Sequence, residues 1–184
     1  VHAFLAAEDR HFFSHPGIDV AAIARALFVD IFRAATGKRP VGASTITQQV
    51  VRHFLLSDRL SLKRKIEEIL LALRIERVLS KDRILELYVN TIYFGCGNWG
   101  ISQATRDYFG EPVGKLTLTQ AALIAGLPQS PNDYNPRHFP LLAKERRNQV
   151  LDLMAEDGYV TAAEARAAKS ALVVPAASGS RKPC

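Results

Sequence analysis

The sequence predicts an all-α fold, and three features of the chain support this prediction. Apolar residues recur at the spacing of amphipathic helices, the alternating pattern of strands is rare, and no segment repeats another. The 184 residues are 48% hydrophobic and 23% charged, which argues against disorder and allows one domain with a sizeable core.

Helical patterns account for most of the N-terminal half. Residues 1–7 resemble the middle of a helix because no capping residue precedes them, so we expect a piece of a longer protein whose N-terminal segment is missing. Two helices are predicted over 20–35 and 45–56, where apolar residues recur at helical spacing. The most regular helix is predicted over 61–79, with an apolar stripe on one side and charged residues on the other.

Shorter helices are predicted in the C-terminal half. They cover 84–90 after the N-cap residue Ser80, 117–127, 143–155, and an alanine-rich segment that begins at Thr161. The glycine-rich segment 95–100 lacks the Lys-Ser/Thr pair of a nucleotide-binding loop, which excludes that kind of site. We expect a domain over 1–174 and a flexible tail or linker over 175–184, where apolar content falls.

Charge and cysteine content limit the classes of partner. The net charge is +6, which favours anionic partners such as nucleic acid, acidic lipid headgroups or phosphorylated substrates. The two cysteines, Cys96 and Cys184, fit no metal site. No run of about 20 apolar residues is present, so we expect no membrane-spanning segment in this chain.

Two glutamates have the surroundings of catalytic carboxylates. Glu8 and Glu68 each lie among basic and hydroxyl residues, and a dense run of polar side chains separates them at 42–49. Carboxylates beside a polar cradle and clustered cations suit acid–base chemistry on a sugar that is attached to a phosphate.

Five segments, in this order, resemble the motifs of one enzyme family. They read Glu-Asp-x-x-Phe-x-x-His-x-Gly at 8–17, Gly-x-Ser-Thr-Ile-Thr-Gln-Gln at 42–49, Arg-Lys-x-x-Glu-x-x-x-Ala at 64–72, Arg-Ile-Leu-Glu-Leu-Tyr-Val-Asn at 83–90, and Ala-Gly-Leu-Pro-Gln-Ser-Pro at 125–131. Together they resemble the peptidoglycan glycosyltransferase family, the domain of class A penicillin-binding proteins and of monofunctional transglycosylases. Five motifs in order are far more specific than any one of them.

The resemblance implies a fold and a reaction. The fold would be lysozyme-like, with a larger globular lobe, a smaller membrane-facing jaw lobe and an elongated cleft between them. The enzyme would polymerise lipid II at the extracytoplasmic face of the bacterial membrane, where an anchor absent from this chain holds it. The acceptor 4-hydroxyl would attack the anomeric carbon of the lipid-linked glycan with inversion, and undecaprenyl pyrophosphate would leave. Moenomycin, a phosphoglycolipid, inhibits this family.

The same resemblance assigns roles to individual residues. Glu8 would be the general base, and Glu68 would act on the leaving-group side through water or a divalent ion, Mg²⁺ or Mn²⁺. The residues expected to bind substrate are Asp9, His15, Ser44, Thr45, Gln48, Gln49, Arg52, Arg59, Arg64, Lys65 and Arg146. The residues expected to support them are Phe12, Gly42, Glu86, Tyr88 and Asn90. No organic cofactor is expected.

Some positions have a structural interpretation or depart from the family pattern. His15, before Pro-Gly, is more typical of a turn that supports Glu8 than of a catalytic group. Arg52 replaces the usual Lys, which keeps the charge but changes its geometry. The basic position that follows is displaced by one residue at Arg59. Gln120 replaces an expected Glu, and we interpret it as structural.

One segment has two interpretations. Residues 18–35 carry large apolar side chains, among them Phe28, Ile31 and Phe32, with arginines beside them. The segment is either a buried core helix or a jaw that dips into the membrane interface and admits the lipid tail. The resemblance and the amphipathic pattern favour the jaw.

Two other functions stay open. A muramidase or lytic transglycosylase of similar fold would protonate the leaving sugar and would need no pyrophosphate-binding cations. A non-catalytic basic helical module would bind membrane or nucleic acid, but the cations alternate with carboxylates and no recognition-helix motif is visible, so no nucleic-acid partner is expected. The sequence leaves open whether a transpeptidase domain follows in the full-length protein.

Overall fold

The computed structural model describes residues 1–34, 44–55, 61–173 and 175, without the side chains of 27, 28, 30–34 and 55. Several predictions lie outside the described part, namely those on Gly42, Arg59, the side chains of Phe28, Ile31 and Phe32, and nearly all of the tail 175–184. The described residues form helices and no β-strand beyond one isolated bridge, so the all-α prediction is confirmed.

Helices make up most of the described residues. They are α1 (His2–Glu8), α2 (Val20–Ala34), α3 (Ile46–Leu55), α4 (Leu62–Ile75), α5 (Lys81–Thr91), α6 (Ile101–Phe109), α7 (Leu118–Gly126), α8 (Pro140–Glu156) and α9 (Ala162–Ser170), with one 3₁₀ turn at Val113–Lys115. The chain forms two compact units, one made of Val1–Arg10 with Val89–Cys184 and the other of His11–Tyr88.

The apolar helix α7 is central to the first unit. It packs against α8, α1, α6 and α9, which explains why most of its residues are buried. A capping box begins α7, in which the Gln120 amide donates to Thr117 Oγ1 at 3.3 Å and Gln120 Oε1 accepts from the Thr117 amide at 2.9 Å. The structural interpretation of Gln120 is therefore confirmed.

The second unit is built on the contact between α3 and α4. Ile46 and Val50 of α3 are buried, as their helical spacing predicts, and Ala72 of α4 is buried as well. Ser61 caps the start of α4 by accepting from the Arg64 amide at 3.1 Å. Helix α4 ends at Ile75, earlier than predicted, because the chain then tightens into short-range turns.

Two side chains fix the start of α2. Asp19 accepts from the Ala22 amide at 2.8 Å and lies 3.0 Å from Nδ1 of His11. Burial acts to raise the pKa of Asp19, but the hydrogen bonds from Ala22 and His11 outweigh it and lower the pKa below its usual value. Asp19 is therefore an ionised N-cap of α2 at neutral pH.

The sequence analysis missed α6. This helix buries Ala104, Thr105 and Tyr108, and its first residues, Ile-Ser-Gln, follow the glycine-rich segment. Gly110 ends the helix in the left-handed conformation, with φ 72°. The glycines that flank this short amphipathic segment are the signal that could have revealed it.

Gly100 should be the least replaceable glycine of this region. Its φ is +79°, and a Cβ there would lie 2.4 Å from the carbonyl oxygen of Asn90. We expect Gly100→Ala to lower the free energy of unfolding by more than about 2 kcal/mol, measured by urea denaturation.

Gly110→Ala is the matched control for this prediction. Gly110 has a similar φ of +72°, but no atom lies within 4 Å of the position of a Cβ. Its substitution should cost only the backbone strain, about 1–2 kcal/mol. Equal losses in the two variants would show that the contact with Asn90 is unimportant.

Candidate active site

A buried ion-pair cluster lies in the second unit. Glu68 is 0% exposed, and its two carboxylate oxygens accept from Arg64 Nη1 at 3.1 Å and Lys65 Nζ at 2.5 Å. The spacing places both cations beside Glu68, because residues three and four apart on a helix are neighbours. Lys65 Nζ also donates to Ser44 Oγ at 3.1 Å, which joins α4 to the residues before α3.

The cluster carries a net positive charge and unused donor capacity. A fully buried carboxylate is costly unless it is paired, and here two cations compensate one charge. Among the described residues, Arg64 Nε is buried and has no hydrogen-bond partner. These donors have the chemistry that a phosphate oxygen requires.

The first turn of α3 uses two of the predicted site residues as a cap. The Thr45 amide donates to Gln48 Oε1 at 2.9 Å, and the Gln48 amide donates to Thr45 Oγ1 at 3.1 Å. Thr45 Oγ1 also donates to the carbonyl of Gly17 at 2.7 Å. Within the described part of the chain, Gln48 Nε2 is buried without a partner, so the amide nitrogen is the group left for a ligand.

The other two predicted polar residues of α3 lie farther along the helix. Gln49 is half-buried, whereas Arg52 is exposed in the last turn, where a cation is favoured by the helix dipole. Binding of substrate by Thr45, Gln48, Gln49 and Arg52 stays a prediction.

Glu8 and Asp9 lie at the end of α1 in the first unit. Glu8 is the last helical residue and is half-buried, and Asp9 is the buried C-cap residue. Arg10 follows them and binds Asp157 at the end of α8, with Nε 2.6 Å from Oδ1. The hydrogen bond with Asp157 raises the pKa of Arg10. This ion pair anchors the segment that carries Glu8.

Arg146 holds the same segment from another side. Its side chain is buried and donates to the carbonyls of Ala7 at 3.3 Å and Gly126 at 3.4 Å. These contacts are those of a residue that positions α1 against α7 and α8. The predicted contact of Arg146 with pyrophosphate stays a prediction.

The rest of the first motif forms a turn on α5. His15 Nδ1 accepts from the Gly17 amide at 3.1 Å, so His15 stabilises the turn as its Pro-Gly context indicates. Lys81 Nζ donates to the His15 carbonyl at 2.7 Å and lies 4.4 Å from the centre of the buried Phe12 ring. Phe12 therefore contacts the lysine that holds this turn, and its expected role in supporting the substrate-binding residues stays a prediction.

The fourth motif supplies packing rather than exposed chemistry. Tyr88 is 1% exposed in the core, and the Asn90 carbonyl lies under Gly100. Glu86 is exposed and pairs with Arg83 at 2.6 Å, which limits it to orienting a surface neighbour.

Comparison with known proteins decides the family. A family model described as Transglycosylase matches residues 1–155. The chain belongs to the transglycosylase family. It is 45% identical over 174 residues to penicillin-binding protein 1A of Rickettsia conorii. This alignment covers 95% of this chain and 22% of that protein. It is 48% identical over 161 residues to penicillin-binding protein 1A of Escherichia coli K12. That alignment covers 88% of this chain and 19% of the relative.

The structure of this transglycosylase domain is also similar to a solved relative. A crystal structure of penicillin-binding protein 1A from Haemophilus influenzae matches with a TM-score of 0.52 and 29% identity, covering 72% of this chain and 17% of that one. The prediction of a lysozyme-like all-α fold is confirmed. The domain spans about a fifth of the length of the curated relatives it matches.

The residues around Glu68 do not form a metal site by themselves. Among the described residues, no group of three or more His, Cys, Asp or Glu side chains could hold a metal ion. Both Glu68 oxygens already accept from cations, which would repel a divalent ion. A Mg²⁺ or Mn²⁺ ion at the pyrophosphate stays a prediction.

A second, half-buried ion pair in this transglycosylase domain was not predicted from the sequence. Glu76 Oε1 accepts from Lys81 Nζ at 2.7 Å and from the hydroxyl of the fully buried Thr47 at 2.5 Å. The pair connects the end of α4, the start of α5 and α3. Its signal in the sequence is Glu76 itself, two helical turns after Glu68.

Proposed function

We propose that this domain polymerises lipid II into β-1,4-linked glycan with inversion and releases undecaprenyl pyrophosphate. Membership of the transglycosylase family supports the reaction class. The observation that carries the proposal is the cluster of Arg64, Lys65 and Glu68, joined to Ser44. It offers the positive charge that a departing pyrophosphate requires.

The proposed chemistry divides the work between the two glutamates. A sugar hydroxyl is a weak nucleophile, so Glu8 accepts its proton as the hydroxyl attacks the anomeric carbon of the lipid-linked chain. The bond from that carbon to the pyrophosphate oxygen breaks, and donors of Arg64 and Lys65 meet the charge that develops. Glu68 holds these two cations in place through its buried carboxylate.

The cation cluster also favours a transferase over a hydrolase. A muramidase or lytic transglycosylase cleaves between sugars, so its leaving group carries no phosphate and needs no cluster of cations. Here two cations pair with one fully buried carboxylate.

The direct test supplies the purified chain with lipid II in detergent. We expect linear glycan and free undecaprenyl pyrophosphate, separated by gel electrophoresis and thin-layer chromatography. Cleavage of finished glycan without formation of polymer would instead assign the hydrolase.

We further propose that the domain works at the extracytoplasmic surface of the membrane as part of a longer protein with a transpeptidase domain. In the described part of the chain, no helix is both long and apolar enough to cross a bilayer. One face of α4 supports surface contact, because Leu62, Ile66 and Leu70 are at least half exposed, at 79%, 52% and 52%. Exposed Lys63 and Arg74 lie on the same helix, a combination suited to anionic lipid.

This membrane contact predicts a selective loss. The double variant Ile66→Ser with Leu70→Ser should bind anionic liposomes at least about fivefold more weakly, because about 1 kcal/mol or more of apolar burial is lost. Its melting temperature should stay close to that of the wild type, since both side chains face solvent. Leu141→Ser with Leu172→Ser is the control, because these residues are 75% and 90% exposed in the first unit. Equal liposome binding by both double variants would contradict the assignment of α4.

A further inference from the structure

Trp99 is displayed on the surface of the first unit. It is the one tryptophan of the 184-residue chain, and it is 53% exposed. The Tyr93 ring lies beside it, with ring centres 4.8 Å apart and planes inclined by 42°. With about half of its surface exposed, Trp99 lies outside the core of the unit.

The backbone under Trp99 is a short hairpin. Tyr93 and Trp99 form an antiparallel bridge, with Phe94 N donating to Asn98 O and Gly100 N donating to Ile92 O, both at 2.9 Å. Trp99 therefore lies in a loop whose two ends are joined by backbone hydrogen bonds.

Buried and half-buried polar groups hold this loop on α6. Asn98 Nδ2 donates to Asp107 at 2.8 Å, and Arg137 Nη1 donates to the same oxygen at 2.8 Å. Burial acts to raise the pKa of Asp107, but the hydrogen bonds from Arg137 and Asn98 outweigh it and lower the pKa. Tyr108 donates to the Phe94 carbonyl at 3.0 Å, and burial raises the pKa of Tyr108 to about 12.

The surroundings of Trp99 match a sugar better than a lipid surface. The exposed residues of the loop and of the first turn of α6 are Gly97, Ser102 and Gln103, which are all small or uncharged polar residues. Gln103 Oε1 accepts from the Trp99 amide at 3.4 Å, and its Nε2 donates to Gly97 O at 3.4 Å. A pyranose presents a face of C–H groups to a flat ring and hydroxyl or amide groups to polar neighbours. Anionic lipid would instead require cations at this point.

The loop belongs to the same compact unit as Glu8. Phe94, next to Tyr93, packs edge-to-face on Phe4 of α1, with ring centres 6.0 Å apart. Glu8 lies four residues after Phe4 and so on the same face of α1. The unit that carries the proposed general base thus also carries the exposed ring.

We propose that Trp99, supported by Tyr93, is a stacking platform for a pyranose ring of a β-1,4-linked N-acetylated glycan strand. The fixed loop presents the ring before the ligand arrives, so little conformational entropy is lost when the sugar binds. The choice of a β-1,4-linked N-acetylated strand rests on the proposed polymerase function, whereas stacking of a pyranose rests on the exposed ring and its polar neighbours.

The test uses chitotetraose, a soluble β-1,4-linked oligomer of N-acetylglucosamine, with the 184-residue chain. Because Trp99 is the one tryptophan, its emission should change saturably as chitotetraose is added. In calorimetric titrations, Trp99→Ala should bind at least about tenfold more weakly, whereas Trp99→Phe should keep part of the affinity through its smaller ring. Phe139→Ala is the control, because Phe139 is an aromatic residue of the same unit with 48% exposure, and it should bind normally.

Two outcomes would overturn the proposal. One is unchanged emission with chitotetraose together with equal affinities for wild type and Trp99→Ala. The other is an emission shift with anionic vesicles alone, which would make Trp99 a membrane contact. The melting temperatures of both Trp99 variants show whether a loss of binding is caused by misfolding. A chain that makes no polymer from lipid II yet binds chitotetraose through Trp99 would refute the proposed function and retain the platform.

Discussion

Glu8→Gln should lower the rate of lipid II polymerisation about 10²-fold or more, because the amide keeps the shape of the side chain but cannot accept the proton of the acceptor hydroxyl. The fold should be unaffected, since Arg10 and Arg146 hold this end of α1 through Asp157 and through the backbone of Ala7. Initial rates of glycan formation measure the first expectation, and circular dichroism with melting temperature measures the second.

Glu145→Gln provides the comparison for Glu8→Gln. Glu145 is an exposed glutamate on α8 in the same unit, so its substitution removes the same charge without touching α1. The control should polymerise at the wild-type rate. Near-normal turnover in Glu8→Gln would remove Glu8 from the role of general base.

Glu68→Ala should have the largest combined effect on stability and turnover. It leaves Arg64, whose side chain is 12% exposed, and Lys65, whose side chain is 39% exposed, without their common partner. Removing one partner of a buried ion pair lowers the free energy of unfolding by about 3 kcal/mol or more. The partial exposure of Lys65 makes its own contribution to this loss smaller. Urea denaturation gives the free energy of unfolding, and rates below the melting transition give the catalytic loss separately.

The neighbouring Glu67 offers a matched control on the same helix. It is half-buried, whereas Glu68 is 0% exposed. The same substitution there, Glu67→Ala, should change the free energy of unfolding by less than about 0.5 kcal/mol. Wild-type turnover and stability in Glu68→Ala would show that the cluster is not the pyrophosphate site.

Helices were predictable where periodicity and caps agreed. Thr161 with Glu164 forms the capping box that the sequence suggests, and Ser80 precedes α5 as predicted. The capping box of Thr117 and Gln120 became visible only in the structure. Helix α8 begins at Pro140, earlier than the predicted 143, because proline is accepted in a first turn. The short α6 escaped prediction because polar residues interrupt its apolar face.

The site was predictable at the level of motifs but not of atoms. The sequence placed Arg64, Lys65 and Glu68 on one helix, and helical geometry then required their contact. It could not show that the Thr45 hydroxyl accepts from the Gln48 amide as an N-cap, because a threonine hydroxyl can bond to the backbone or to a substrate equally well. It also could not show that the guanidinium of Arg146 donates to backbone carbonyls, since that contact joins residues 139 positions apart.

The Glu76 carboxylate has a consequence for redesign of this domain. One oxygen serves both Thr47 and Lys81, and the lysine in turn holds the His15 carbonyl. Positions 47, 76 and 81 therefore act as a single design variable. A library that varies one of these positions alone would mostly yield variants that have lost one of the shared hydrogen bonds. Libraries that vary two or three of the positions together would include combinations in which these hydrogen bonds are replaced.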